Sequence, residues 1–363
     1  MVDKIVAASY IVDIYFRFFY KREAKVLKGL FGRKGFALEL REIPSRDVRG
    51  HMVRLKVFAC GVCGTDLHFL RDMDEWTPLG HEISAEVLEV GSEVSRVKPG
   101  DRVICEDVTM CGACAACKAG EPRLCRDGYT LDGQPGISEE LVVHENMLNI
   151  YTDIDPLIAT MVEPLAVAIR GVNKLKLRPM ASVAVFGMGA IGLFSAAYAR
   201  SLGAGRIAMF ARDPHSQRNA VAQAAASDLG ADEFYYTADQ DYVARAMDRG
   251  QFDAAIIAAP PAMCADAMRL VNYGGTVLAM GVSFGDGGKV ELDVSDMVFQ
   301  KKQLITSLAE PAANFPLSIE LIRSGRIDAG RVITHILPLA ESNGLPALYA
   351  ADAPAIKTVI KCS

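Results

Sequence analysis

The stretch Val183-Ala184-Val185-Phe186-Gly187-Met188-Gly189-Ala190-Ile191-Gly192 decides how the middle of this chain folds. Its apolar start reads as a buried strand and the alanine-rich run after it as a helix, with Gly-x-Gly-x-x-Gly between them. Each glycine has a physical task there: a tight turn, close backbone approach to a pyrophosphate, and close helix–strand packing. The helix start adds N–H donors and the positive end of its dipole. The flanking sequence repeats the pattern. Apolar runs at 182–186, 206–210, 254–258 and 276–280 alternate with helical stretches such as 193–202 and 218–229. That alternation predicts a doubly wound parallel sheet over 165–305, in an α/β chain.

Residues 53–150 have another texture, with short β-prone runs and turns such as Val97-Lys98-Pro99-Gly100-Asp101. They predict a compact β-rich unit. Residues 4–8 and 36–41 read as strands. Residues 10–34 fit two periods: alternate apolar residues as a strand, or a basic stripe of Arg17, Lys21, Lys25 and Lys28 as a helix. The first 34 residues hold eight basic against three acidic side chains, which would suit an anionic membrane surface or acidic partner, but the apolar periodicity favours a packed extension or subunit contact.

Composition narrows the function classes. The 363 residues are 51% hydrophobic and 23% charged, with a net charge of -5. That excludes a disordered chain and disfavours a general nucleic-acid binder. No apolar run is long enough for a membrane span, and no secretory signal opens the chain, so a cytoplasmic location is expected.

In such a reducing compartment the nine cysteines point to metal rather than disulfides. Cys111, Cys114, Cys117 and Cys125 are spaced to wrap one loop around a tetrahedral zinc. A ferredoxin-type cluster would need a shorter last gap. Four thiolates close the site, so this zinc is structural. A second set is Cys63, Thr65, Asp66 and His68, then Gly80-His81-Glu82, and later Glu163. Cysteine, histidine and carboxylate are the donors of a catalytic zinc that keeps one position open. The expectation is two zinc ions per chain.

For the cofactor, Gly187, Gly189, Ala190, Ile191 and Gly192 form the expected turn. The acid that binds a ribose 2′-hydroxyl in NAD enzymes belongs at the tip of the next strand. Arg212 stands there instead, with Asp213 after it and Arg218 close behind. A guanidinium pairs with a 2′-phosphate that an acid repels. NADP(H) is therefore preferred, with NAD(H) possible through Asp213.

Taken together, GVCGTDLH (61–68), GHE (80–82), VKPGDRV (97–103), CGACAACKAGEPRLC (111–125), VEPLAVAIRG (162–171), FGMGAIG (186–192) and THILP (334–338) resemble the zinc-dependent medium-chain alcohol dehydrogenase/reductase family. The resemblance runs from about residue 36 to the C-terminus. It implies a GroES-like catalytic zinc domain over 1–164 and 306–363, with 10–34 inserted, and a Rossmann dinucleotide-binding domain over 165–305. It also implies Cys63 and His81 as catalytic zinc ligands, with Glu82 or Glu163 as the third. Thr65 takes the hydroxyl relay position and His68 its outer place. Glu163, where simple alcohol dehydrogenases carry cysteine, places the chain near the polyol branch with sorbitol and threonine dehydrogenases. Phe69 stands where those enzymes often have tyrosine, and Glu310 where an approximate alignment puts arginine, a hint of a cationic substrate.

The expected activity is hydride transfer between NADP(H) and a secondary alcohol or ketone of a polyol, sugar or (amino)cyclitol, by a homodimer or homotetramer. The alternatives are an NAD-dependent threonine-type or simple secondary-alcohol dehydrogenase and, from another class, a catalytically silent zinc-stabilised nucleotide-binding or interaction protein.

Overall fold

The structure, a computed structural model, describes residues 26–283, 285–309, 312–350 and 353–363. The strand reading of residues 4–8, most of the stretch 10–34 and Glu310 lie outside those residues. The end of that stretch is a strand: Val26–Arg33 pairs antiparallel with Ala37–Pro44, Arg33 facing Ala37.

The central sheet has six strands, all parallel. Their order is Glu233–Tyr236, Arg206–Ala211, Ser182–Phe186, Phe252–Ile257, Val271–Ala279, Gln303–Thr306. The chain starts in the middle, winds to one edge, then returns to wind to the other. The reversal lies beside Ser182–Phe186, and there a doubly wound sheet opens its ligand crevice. The inner strands read as unbroken apolar runs because helices cover both faces. Phe186, Phe210 and Tyr235 stack across three neighbouring strands, ring centroids 4.4 and 5.2 Å apart.

Helix Ala190–Ser201 starts at Gly189 and packs on this sheet. Gly187 has φ +103°, and a Cβ there would lie 2.7 Å from the Ala258 carbonyl oxygen. At Gly192 a Cβ would collide with the Gly187 carbonyl, so glycine is what lets helix and strand approach. Helix Val162–Leu175 buries Leu165, Ala166, Ile169 and Val172 in the same core. Each of its larger apolar side chains contributes roughly 1.5–3 kcal/mol by leaving water.

The β-rich unit centres on strand Met52–Gly61, which pairs antiparallel with Glu82–Val90, Glu140–His144 and the C-terminal strand Lys357–Lys361. Residues more than 300 positions apart in sequence thus share one sheet. Its core is a separate cluster including Val53, Leu55, Ile83, Val103, Ile137 and Ile360.

Candidate functional site

Strand register assembles the first part of the site. Gly61, the last residue of its strand, faces Glu82, the first of its partner. Cys63 and His81, eighteen residues apart, therefore emerge side by side from neighbouring strand ends. Asp66, fully buried, fixes the two loops: its carboxylate accepts the N–H of Cys63 at 2.8 Å and that of Gly80 at 2.9 Å. A Cβ on Gly61 would strike the Glu82 carboxylate, so that glycine leaves room for the acid.

Cys63 Sγ, a ring nitrogen of His81 and a carboxylate oxygen of Glu82 lie within 4.8 Å of one another. Glu82 is buried. Its Oε1 accepts from Lys357 Nζ at 2.6 Å, while Oε2 is buried without a hydrogen-bond partner. An unsatisfied carboxylate oxygen beside a thiol and an imidazole fits a cation at this point.

Glu163, in the first turn of helix Val162–Leu175, is 4% exposed and lies outside the 4.8 Å group but close enough to feel its charges. Burial pushes its carboxyl well above the usual range. His81 opposes that shift, and the acids Glu82 and Asp107 and the Cys63 thiolate add to it. Burial alone would lower His81, but the neighbouring Cys63 thiolate and acids outweigh it and raise the imidazole well above its ordinary value. Thr65 Oγ1 accepts from the Cys63 thiol at 3.7 Å.

These residues open into one cavity of about 670 Å³. Cys63, Thr65, His81, Glu82 and Glu163 line one side, and Gly189, Ala190 and Ile191 of the glycine turn line another. His68 does not line it; its ring contacts Arg71 and lies 3.9 Å from Asp72. Burial, then the Arg71 charge, lowers its pKa.

A second cleft of about 940 Å³ follows the glycine turn from Gly187 to Arg212, Asp213, His215 and Arg218. Arg212 is exposed at the tip of strand Arg206–Ala211. The Asp213 carboxylate accepts the His215 N–H at 2.8 Å, and the Arg218 Nε–H donates to the Ala355 carbonyl at 2.9 Å.

The other cysteine set also comes together. The Sγ atoms of Cys111, Cys114, Cys117 and Cys125 lie within 4.8 Å of one another. Backbone N–H groups of Ala113 and Cys114 donate to Cys111 Sγ and hold that thiol down at about 7. Burial and the other three thiols push Cys117 up to about 12. Four convergent sulfurs suit zinc in a closed tetrahedron.

Lys357, Asp66 and Asp107 also line the cavity at Cys63 and His81, and of these only Asp66 falls within a motif singled out in the sequence. The one sequence signal for Lys357 is a cation inside the apolar run Ala355-Ile356-Lys357-Thr358-Val359-Ile360. Asp66 lies within GVCGTDLH.

Comparison with known proteins agrees with this geometry. Residues 49–152 match the alcohol dehydrogenase GroES-like domain, and residues 190–324 the zinc-binding dehydrogenase model. Sorbitol dehydrogenase of Bacillus subtilis is 29% identical over 82% of this chain and 86% of its own. D-altritol 5-dehydrogenase of Agrobacterium fabrum is 31% identical over 86% of this chain and 92% of its own. A solved protein from Sinorhizobium meliloti, bound to NADP, superposes with a TM-score of 0.81 at 27% identity, covering 93% of this chain and 99% of its own. No helix among the described residues is long and apolar enough to cross a membrane. The two domains, the polyol-type relatives and the paired donor clusters have one common reading: the chain is a member of the zinc-dependent medium-chain alcohol dehydrogenase family, in its polyol branch.

Proposed function

We propose that this enzyme transfers hydride between NADP(H) and a secondary alcohol or ketone of a polyol, sugar or (amino)cyclitol. The single observation that carries this reading is the shared cavity, in which Cys63, His81 and Glu82 face the Gly189–Ile191 turn. Cys63, His81 and Glu82 would hold the catalytic zinc, and the unpaired Oε2 of Glu82 supports that reading. Glu163 lines the same cavity and is the alternative carboxylate ligand. Cys111, Cys114, Cys117 and Cys125 hold a second, structural zinc. The domain division at 164/165 and 305/306 follows from the same reading.

Zinc in the first site supplies a Lewis acid for the substrate oxygen. The protein does the rest. Thr65 would take up the substrate hydroxyl proton while passing its own hydroxyl proton on, and His68, one helical turn on and outside the cavity lining, would receive that proton at the outer end. The glycine turn would hold the cofactor's pyrophosphate beside the cavity, and the bound nicotinamide would supply or take up the hydride. Arg212 pairs with the 2′-phosphate. The assembly is a homodimer or homotetramer. The edge strand Gln303–Thr306 and the exposed Val294, Val298 and Phe299 beside it support contact through the dinucleotide domain.

An initial-rate panel tests this reading. Zinc-loaded protein is assayed with NADP⁺ and NAD⁺ against sorbitol, other polyols, aminocyclitols, threonine and simple secondary alcohols. Turnover is expected with NADP⁺ and polyhydroxylated substrates. Turnover confined to threonine or simple alcohols, or none with two bound zinc ions, overturns it.

A further inference from the structure

Five acids line the catalytic cavity: Asp66, Glu82, Asp107, Asp132 and Glu163, against the cations Lys357 and Arg218. Most of that negative charge is already answered. Glu82 pairs with Lys357 at 2.6 Å, and Asp132 pairs with Arg46 at 2.6 Å, outside the cavity lining. Asp66 is satisfied by two backbone N–H groups. A divalent ion at Cys63 and His81 would be offset by the Cys63 thiolate and Glu163. Arg218 lies towards the cofactor cleft, its Nε–H on Ala355.

Asp107 is left over. It is half-buried in the loop after strand Arg102–Cys105, and one of its oxygens accepts the Val108 N–H at 2.8 Å. No cation pairs with it among the described residues. Its charge reaches Glu163 inside the same cavity. Phe69, Leu131 and Leu308 supply apolar wall of the same cavity. A single uncompensated carboxylate in a partly apolar cavity acts on any charge brought beside it, because burial weakens solvent screening.

We infer that Asp107 is a specificity-determining residue that sets which end-group the cavity accepts: hydroxymethyl or aminomethyl, with a carboxylate refused. A hydroxyl or ammonium can donate to its free oxygen, whereas a carboxylate brought beside it meets like charge. The enzyme therefore acts on neutral or aminated polyols and discriminates against sugar acids of the same length. This rests on the polyol reading above.

Three six-carbon probes differ only at C1: sorbitol, its 1-amino-1-deoxy analogue and gluconate. Their dissociation constants with zinc- and NADPH-loaded protein, measured by isothermal titration calorimetry near pH 7.5, are the readout, alongside KM and kcat. Gluconate should bind at least about tenfold more weakly than sorbitol, the size expected for a like charge several ångströms away. The amine should bind at least as tightly as sorbitol. Asp107→Asn keeps an oxygen for the Val108 N–H and should close most of the gluconate gap while weakening the amine. Equal binding of gluconate and sorbitol by the wild type, or the same ratios in Asp107→Asn, overturns the inference and leaves the polyol reading standing. No binding of any probe overturns both.

Discussion

Lys357 Nζ lies 2.6 Å from Glu82 Oε1 and 3.0 Å from the Val62 carbonyl, with both side chains buried. The pair joins the last strand of the chain to the first residue after His81. It leaves Glu82 one satisfied oxygen and one free, so the acid can serve a metal without carrying an unopposed charge. Burial alone would lower the lysine's pKa; the Glu82 carboxylate and the Cys63 thiolate outweigh it and raise it.

Lys357→Met removes the cation and strands a buried carboxylate, at a cost of about 3–5 kcal/mol. The urea midpoint should fall accordingly. A group whose pKa rises on folding stabilises fully below its unfolded pKa, near 10.4, and loses that effect only above it. The gap between wild type and variant should therefore stay flat from about pH 6 to 9. A gap that widens steadily with rising pH across that window would show that the lysine is not charged in the folded protein, because folding would then have to strip its proton.

This pair also marks the limit of what the sequence discloses. The glycine turn and the four-cysteine loop are legible because their residues are neighbours in the chain and their spacing is itself the geometry. Where Glu82 and Glu163 stand relative to Cys63 and His81 is not local. It depends on Gly61 facing Glu82 across two strands, a register set by the whole sheet. Lys357 has no motif because its partner lies 275 residues away. Asp66 sits in plain view within GVCGTDLH, but its task, holding Cys63 and Gly80 at once, appears only when the two loops meet.

Cys63→Ser separates the two metal sites. Serine is a poor zinc donor beside a thiolate, so the open site should empty while the closed four-cysteine site stays filled. Metal analysis is expected to fall from two zinc ions to one per chain, with nearly all turnover lost. If the variant keeps two ions and wild-type activity, Cys63 is not a ligand.

Glu145 gives the β-rich unit a pH signature away from the active site. It is 3% exposed and accepts the N–H groups of Ser95 and Arg96 at 2.9 and 2.8 Å and His51 Nδ1 at 2.7 Å. Burial alone would raise its pKa, but these donors outweigh it and lower the carboxyl. A depressed acid stabilises above its unfolded pKa and loses that effect as pH falls through the folded one. Glu145→Gln should be less stable by about 1–2 kcal/mol at pH 7. The difference should shrink as pH falls below the ordinary glutamate value and vanish only once pH is below the lowered pKa of the folded carboxyl, where wild-type Glu145 is also neutral. Thermal midpoints at several pH values check it, and a pH-independent difference would assign the loss to shape rather than charge.

The proposed preference for NADP(H) rests on Arg212. Its exposed guanidinium has no ion-pair partner among the described residues, and it stands at the strand tip beside the second cleft. Asp213, the rival that would select NAD, spends one carboxylate oxygen on the His215 N–H, so it is shaped as a turn residue. Arg218 also lines that cleft, but its Nε–H is committed to the Ala355 carbonyl, which leaves Arg212 as the freer cation for a 2′-phosphate. A lost charge-assisted hydrogen bond is worth about 1.5–3 kcal/mol, or roughly 10- to 100-fold. Arg212→Ala should lower kcat/KM for NADPH by that factor and leave NADH within about twofold, because NADH has no 2′-phosphate to lose. Equal losses with both cofactors would mean that Arg212 supports the fold of the turn. A loss with NADH alone would return the ribose contact to Asp213.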